Sequence, residues 1–228
     1  MKKFLYETHL HTSPVSKCAR TTVRESLEIY KNLGYAGVFI TNHFIDGNLN
    51  CDRSLPYEER INVYFSDYEA ALEIGKEIGI SVFLGIESSY KGTDFLIYGL
   101  DKSWFLAHPE IDGMKKTEFL TLLSEAGAFV VQAHPYRESD YIDHIRLFPR
   151  HVHGVEIYNS SRPDFENEMA KHYAESYGLL ALAGSDTHNA KTKKVFGGMS
   201  SDIAIADEQD FIAKLKSGEL EIFRLDIE

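Results

Sequence analysis

The chain has 228 residues, 43% of them hydrophobic and 26% charged, the profile of a globular protein and not of a disordered, collagen-like or fibrous one. Its 24 basic and 35 acidic side chains give a formal charge of −11, which argues against nucleic-acid or anionic-membrane binding through a basic surface. A small phosphate-bearing substrate stays open, because bound cations reverse the local potential whatever the net charge. No apolar run approaches the roughly 18 residues that cross a bilayer. Met1 to Tyr6 meets Glu7 and His9 before a signal-peptide core can form, so a cytoplasmic location is expected. Two cysteines, Cys18 and Cys51, make no disulfide framework, which suits a reducing compartment.

Short apolar runs alternate with longer helical patterns, without repeats or linkers, so a single domain over 1–228 is expected. Phe4 to Thr8 reads as the first strand. Thr22 to Glu25 is a capping-box pattern opening a helix with Leu27, Tyr30 and Leu33 on one side, ended by Gly34. Gly37 to Thr41 is the second strand, Tyr57 to Glu77 largely helical, and Ile80 to Ile86 the third strand, closed by Glu87. Further strands are predicted at Asp94 to Gly99, Ala128 to Gln132, Gly154 to Tyr158 and Leu179 to Ala183. Helices are predicted at Lys116 to Ala126, Pro163 to Tyr177 and, after a short extended run at Asp202 to Ala206, Glu208 to Lys216. Strands interleaved with helices predict an α/β fold with a parallel sheet covered on both faces, open or closed into a barrel. No glycine-rich phosphate loop follows the first strand.

Polar residues recur at the predicted strand ends. His9 and His11 follow the first strand, Asn42 and His43 the second, Glu87 the third, His134 the fifth, Asn159 the sixth, and Asp186 and His188 the seventh. In a barrel the carboxyl ends of parallel strands share one rim, where residues distant in sequence meet. Extended residues at i and i+2 point to one side, so His9 with His11, and Asp186 with His188, each aim two donors at one place. Five imidazoles and two carboxylates crowded together call for positive charge among them, and divalent metal supplies it. This donor set suits Zn, Mn or Fe better than Ca. His144, His151, His153 and His172 fall on helices or loops and read as surface or structural, as does His108 after Trp104 and Phe105.

The combination His9-Leu10-His11-Thr12, Thr41-Asn42-His43, Gly85-Ile86-Glu87, His134-Pro135, Gly154 to Asn159 and Gly184 to His188 resembles the PHP (polymerase and histidinol phosphatase) family over about residues 4 to 190. The resemblance implies a distorted seven-stranded (β/α) TIM-like barrel with two or three divalent metal ions and, most commonly, phosphoester hydrolysis. Carried over by position, it implies one ion on His9, His11, Glu87 and Asp186. Glu87 would bridge to a second ion on His134 and a residue near the end of the fourth strand, and His43 and His188 would hold a third. At the fourth strand Asp101 is the expected ligand and Asp94 its rival. Where many members carry a third-ion ligand past the H-x-H motif, this chain reads Ser16-Lys17-Cys18. Cys18 can ligate as a thiolate, whereas the Lys17 ammonium can only stand in for an ion's charge.

The expected function is therefore hydrolysis of small-molecule phosphate monoesters, with Glu87, Asp186 and His134 catalytic and Lys17, Arg20 and Arg162 gripping phosphate. The partner is a small-molecule phosphate ester, with no nucleic acid and no membrane; oligomeric state is unassigned. Two alternatives are an amidohydrolase-type metal hydrolase and a non-catalytic metal-binding accessory module. The loops at 48–56 and 136–141 are expected to choose the substrate.

Overall fold

The computed structural model describes residues 3–227. Nine strands among these residues form one sheet: β1 (Phe4–Leu10), β2 (Tyr35–Ile40), β3 (Ser81–Tyr90), β4 (Thr93–Tyr98), β5 (Phe129–Ala133), β6 (Gly154–Asn159), β7 (Leu180–Gly184), β8 (Val195–Ser201) and β9 (Glu221–Asp226). The helices are α1 (Val23–Asn32), α2 (Tyr57–Ile78), α3 (Lys102–Ala107), α4 (Lys116–Glu125), α5 (Asp164–Tyr177) and α6 (Glu208–Ser217). The strand order is β7-β6-β5-β4-β3-β2-β1-β8-β9. The sheet curls until the end of β1 meets the segment after β7, where the His11 amide donates to the Thr187 carbonyl at 3.0 Å and the Thr187 amide to the His9 carbonyl at 3.3 Å. The result is a mixed α/β fold with a nearly closed, barrel-like sheet.

The sheet differs from a seven-stranded parallel barrel in two ways. First, β8 and β9 form an antiparallel pair added beside β1. The predicted extended run at Asp202 to Ala206 is instead a loop, and the strand lies just before it. The glycine pair Gly197-Gly198 weakens the strand signal there. Gly198 has φ 149°, and a Cβ on it would collide with the Tyr6 carbonyl of β1, so the close approach of β8 requires glycine. Second, β4 runs antiparallel to both β3 and β5. Lys91 (φ 49°) and Gly92 (φ 84°) make a two-residue hairpin turn with both central residues at positive φ, whose twist suits antiparallel strands. β3 consequently runs on to Tyr90, leaving Glu87 inside it, and β4 begins, not ends, at the rim where the parallel strands end.

The helix ends follow local chemistry. The Thr22 side chain accepts from the Glu25 amide while the Glu25 carboxylate accepts from the Thr22 amide, so the predicted capping box opens α1. α2 and α5 end on left-handed Gly79 and Gly178.

Tyr6, Phe39, Phe83, Tyr98, Phe129 and Leu182 gather with Phe211, Ile212 and Leu215 of α6 in one buried apolar cluster. Phe39 stacks on Phe83 with ring centroids 4.9 Å apart and lies 4.5 Å from Phe211. Along β1, β2 and β5 these aromatics precede His9, His43 and His134, so the sheet is apolar toward its strand beginnings and polar at the opposite rim. α1 and α2 cover β1 and β2 through Leu27, Tyr30, Val38, Ile40 and Ala71. No helix of the described residues is long and apolar enough to cross a membrane. Replacing Phe39 with Ala removes the ring linking β2, β3 and α6 and is predicted to cost about 3–5 kcal/mol, read as a shifted midpoint in denaturant unfolding.

Candidate metal centre

The rim gathers donors from six places in the chain. His9 and His11 come from the end of β1, His43 from just past β2, Glu87 from β3, Asp94 from the start of β4, His134 from just past β5, and Asp186 and His188 from the loop after β7. His134 (φ 24°) and Asp186 (φ 49°) are non-glycine residues held at positive φ. Such conformations cost on the order of 1–3 kcal/mol and persist where the surroundings fix them for a purpose.

Glu87 lies at the centre, with its side chain 1% exposed. Its Oε1 is 3.2 Å from His9 Nε2 and 3.3 Å from His134 Nε2, while its Oε2 is 2.6 Å from His43 Nδ1 and 3.4 Å from His11 Nε2. Each oxygen therefore serves a different pair of imidazoles. Asp186 Oδ1 lies 3.4 Å from His11 Nε2, 3.6 Å from His9 Nε2 and 3.3 Å from His188 Nδ1, and its Oδ2 lies 3.8 Å from His134 Nε2. Asp94 Oδ2 is 3.9 Å from His134 Nε2. Three groups present donor atoms within 4.8 Å of one another: His9, Glu87 and His134; His9, His11 and Asp186; and His11, His43 and His188.

A surrounding layer fixes these side chains. His9 Nδ1 is 2.9 Å from Glu156 Oε1, which leaves Nε2 facing Glu87. Glu156 Oε2 accepts from the His134 amide at 3.0 Å and from Asn159 Nδ2 at 2.9 Å. Glu7 accepts from the His9 and Ser185 amides and from the Tyr30 hydroxyl, tying β1 to the end of β7. Carboxylates hydrogen-bonded to imidazoles in this way orient metal ligands and raise their basicity.

The electrostatics are those of groups that need a cation. Burial pushes the His9 imidazole down, but Glu156, Asp186 and Glu87 outweigh it and hold it well above its ordinary value. Burial together with His188 and His43 pushes His11 well below. Burial raises Glu87 and Asp186, yet the facing imidazoles bring both well below the usual carboxylate range. His43 Nδ1 and Glu87 Oε2 are buried without a hydrogen bond although they lie 2.6 Å apart. Two close atoms without a well-formed hydrogen bond among nitrogen and oxygen ligands fit a divalent ion, which satisfies both.

The sequence-predicted residues divide as follows. His9, His11, His43, Glu87, His134, Asp186 and His188 converge. Asp101 does not: it is the N-cap of α3, accepting from the Trp104 amide at 2.9 Å, in a separate cavity of about 720 Å³ that lacks the rim donors. Asp94 stands at the rim in its place because β4 is antiparallel. His108 stacks on Trp104 in that separate cavity, with its Nδ1 2.7 Å from the Trp104 carbonyl. Lys17 and Arg20 are exposed and line neither rim cavity. Arg162 is engaged by Glu166, Nε to Oε2 at 2.6 Å, at the edge of the site.

Cys18 faces the site cavity of about 450 Å³. Burial pushes its thiol up, but hydrogen bonds with His188 and His43 outweigh this and bring it down to about 6. Arg137, three residues past His134, was not singled out by the sequence; its Nη2 is 3.0 Å from Asp94 Oδ2. It lines both the site cavity and an adjoining one of about 410 Å³ that also holds Lys193, whose ammonium burial pushes down. Glu156 carried a readable signal, a charged residue within an otherwise apolar strand; Arg137 and Lys193 had none.

The profile of a family described as PHP-associated matches residues 164–192, the segment that carries Asp186 and His188. No curated protein matches the sequence. Among solved structures, a two-domain protein of Bacteroides vulgatus containing a predicted PHP-like metal-dependent phosphoesterase superposes with TM-score 0.68 at 14% identity. The alignment covers 97% of this chain and 65% of that one, so the chain spans just under two thirds of that protein's length. A proposed metal-dependent phosphoesterase of Bifidobacterium adolescentis gives TM-score 0.57 at 17% identity, over 92% of this chain and 95% of that one. An amidohydrolase of Chromobacterium violaceum with bound sulfate and no metal gives 0.52 at 14%, over 96% and 97%. At these identities the likeness to solved structures is one of fold. The fold and rim define a barrel-like α/β protein with a histidine-carboxylate centre fitted to divalent metal. The matched segment and the shared fold together support the PHP domain family.

The assignment of Asp94 over Asp101 is tested by metal analysis. Asp94→Ala is predicted to lower bound metal per chain, while Asp101→Ala leaves it unchanged and costs about 1 kcal/mol of stability through the lost cap.

Proposed function

We propose that the chain is a metal-dependent phosphoesterase acting on small-molecule phosphate monoesters. The observation that carries this reading is Glu87, a buried carboxylate whose oxygens lie 3.2 Å from His9, 3.4 Å from His11 and 3.3 Å from His134 and so reach donors of two neighbouring ion sites. His9, His11 and Asp186 would hold one ion with Glu87, and His134 and Asp94 a second; Zn, Mn and Fe suit these donors. Bound divalent ions supply Lewis-acid polarisation of phosphoryl oxygens and a lowered pKa for an attacking water.

The chain's own groups orient and discriminate. Glu156 holds His9 in the tautomer that presents Nε2, and the strained backbone at His134 and Asp186 aims both side chains inward. Arg137 and Lys193 stand beside the ligands with charge for phosphate oxygens, Arg137 with a buried Nε that makes no hydrogen bond. This pairing of fixed charge with positioning is what phosphoryl transfer requires. The bridging place is taken by Glu87 and not by a lysine; Lys116 is engaged by Asp46 at 2.7 Å. C–N hydrolysis is the alternative outcome that the test distinguishes.

The test is turnover of p-nitrophenyl phosphate and a phosphate-ester library, against a panel of amides and lactones, after reconstitution with Mn, Zn or Fe. Phosphate esters are expected to turn over. Glu87→Ala and His11→Ala are each expected to lose metal and about 100-fold or more in activity, and Glu156→Gln to weaken metal affinity by about 10–100-fold. Full phosphatase activity after exhaustive chelation overturns the reading. Turnover of amides alone replaces it with the amidohydrolase alternative, and metal occupancy without any turnover with the accessory-module one.

A further inference from the structure

Thr12, Ser16, Asn42 and Asp67 form a buried polar cluster behind the rim that the proposed function does not use. Thr12 and Ser16 come from the loop after β1, Asn42 from just past β2 and Asp67 from α2. The direction of every hydrogen bond in the cluster can be worked out from groups with only one role. The Val15 amide can only donate, and it meets Asp67 Oδ2 at 3.2 Å, so that oxygen accepts. The same oxygen accepts from the Thr12 hydroxyl at 2.8 Å and from Asn42 Nδ2 at 3.3 Å. At the other end of the Asn42 side chain, Oδ1 accepts from the Thr12 amide at 2.7 Å. The Asn42 amide is thus fixed at both ends, with its oxygen turned to Ser16.

Ser16 Oγ has one proton, two lone pairs and three neighbours. The His43 amide donates to it at 3.0 Å and takes one lone pair. Asn42 Oδ1, 2.8 Å away, has no proton to give, so it must receive the hydroxyl proton; otherwise two buried acceptors would face each other. The remaining lone pair faces His11 Nδ1 at 3.2 Å, a contact that is a hydrogen bond only when Nδ1 carries the proton. His11 Nε2 is then the atom with a free lone pair, and it lies 3.4 Å from both Glu87 Oε2 and Asp186 Oδ1.

We propose that Ser16 is a positioning residue for His11: with its hydroxyl polarity set by Asn42 and Asp67, it keeps the imidazole proton on Nδ1 and turns the Nε2 lone pair to the metal centre. A metal-bound imidazole is neutral, and the bond made by its other nitrogen decides which nitrogen it offers. For His9 that bond goes directly to the Glu156 carboxylate. For His11 it goes to a neutral hydroxyl, and the carboxylate stands behind it, beyond Asn42. Because the same hydroxyl holds the His43 amide, one serine orients two rim segments. The inference rests on the metal-dependent reading above and gives it a residue that reading does not need.

The experiment is long-range proton–nitrogen correlation NMR of protein carrying isotope-labelled histidine, metal-free and loaded with Zn(II), together with Zn(II) titration. The His11 signals are those lost in His11→Gln. In wild type the His11 proton is expected on Nδ1 in both forms. Ser16→Ala is expected to lose the protected Nδ1 proton signal and to bind Zn(II) about 10-fold or more weakly. Asn42→Ala frees the Ser16 hydroxyl to donate to His11, so a form with the proton on Nε2 is expected in the metal-free protein. Asp67→Asn, which keeps an oxygen at the accepting position, is expected to match wild type. His153 is the internal check on the fold, since its Nδ1 accepts from the Val130 amide at 3.0 Å and its proton stays on Nε2 in every folded variant. A wild-type His11 with its proton on Nε2 overturns the proposal, as does a Ser16→Ala protein with unchanged His11 signals and Zn(II) affinity. Absence of Zn(II) binding in wild type overturns the metal-dependent reading instead, and the metal-free spectra distinguish that failure from this one.

Discussion

The structure depends on the burial of Glu87 among four imidazoles. An ionised carboxylate removed from water costs far more than a surface contact returns unless opposite charge surrounds it. Here Asp186 and Asp94 stand beside it, so the rim concentrates like charge as well. Protonated histidines balance part of that charge, and His43 Nδ1 lies 2.6 Å from Glu87 Oε2, yet neither atom makes a well-formed hydrogen bond. A divalent ion removes both difficulties at once, replacing protons on the imidazoles and serving as partner to the carboxylate oxygens.

The rest of the fold holds that arrangement in place. An aromatic plug built on Phe39, Phe83, Tyr98 and Phe211 fills the sheet at its strand beginnings, fixing the radius at which the opposite ends can meet. Glu7 and Glu156, both buried, connect β1, β6 and the end of β7 and hold His9 and His134 to the rim. The stabilising core and the polar site thus occupy opposite ends of the same strands, the division that barrel-like folds use to vary chemistry without changing packing.

Much of the rim was legible because strand ends are marked twice, by the end of an apolar run and by the polar residue that follows. His9, His11, His43, His134, Asp186 and His188 were placed by that signal. Asp94 was not, because nothing in the apolar run Phe95 to Tyr98 records its direction. The Lys91-Gly92 turn does, and reading it as a tight hairpin would have extended β3, reversed β4 and exchanged Asp101 for Asp94. The outward turn of Lys17 and the approach of Arg137 and Lys193 are products of tertiary packing, for which local sequence carries no period. β8 was missed for a related reason: its glycine pair serves contact with β1, and so the residues that make the strand possible are those that disguise it.

The most direct measurement is anomalous diffraction from crystals grown with Zn(II) or Mn(II), recorded on both sides of the metal edge. The account predicts two anomalous peaks beside Glu87, one among His9, His11 and Asp186 and one by His134 and Asp94. A well-ordered rim with the same side chains in place and no anomalous density among them would contradict it.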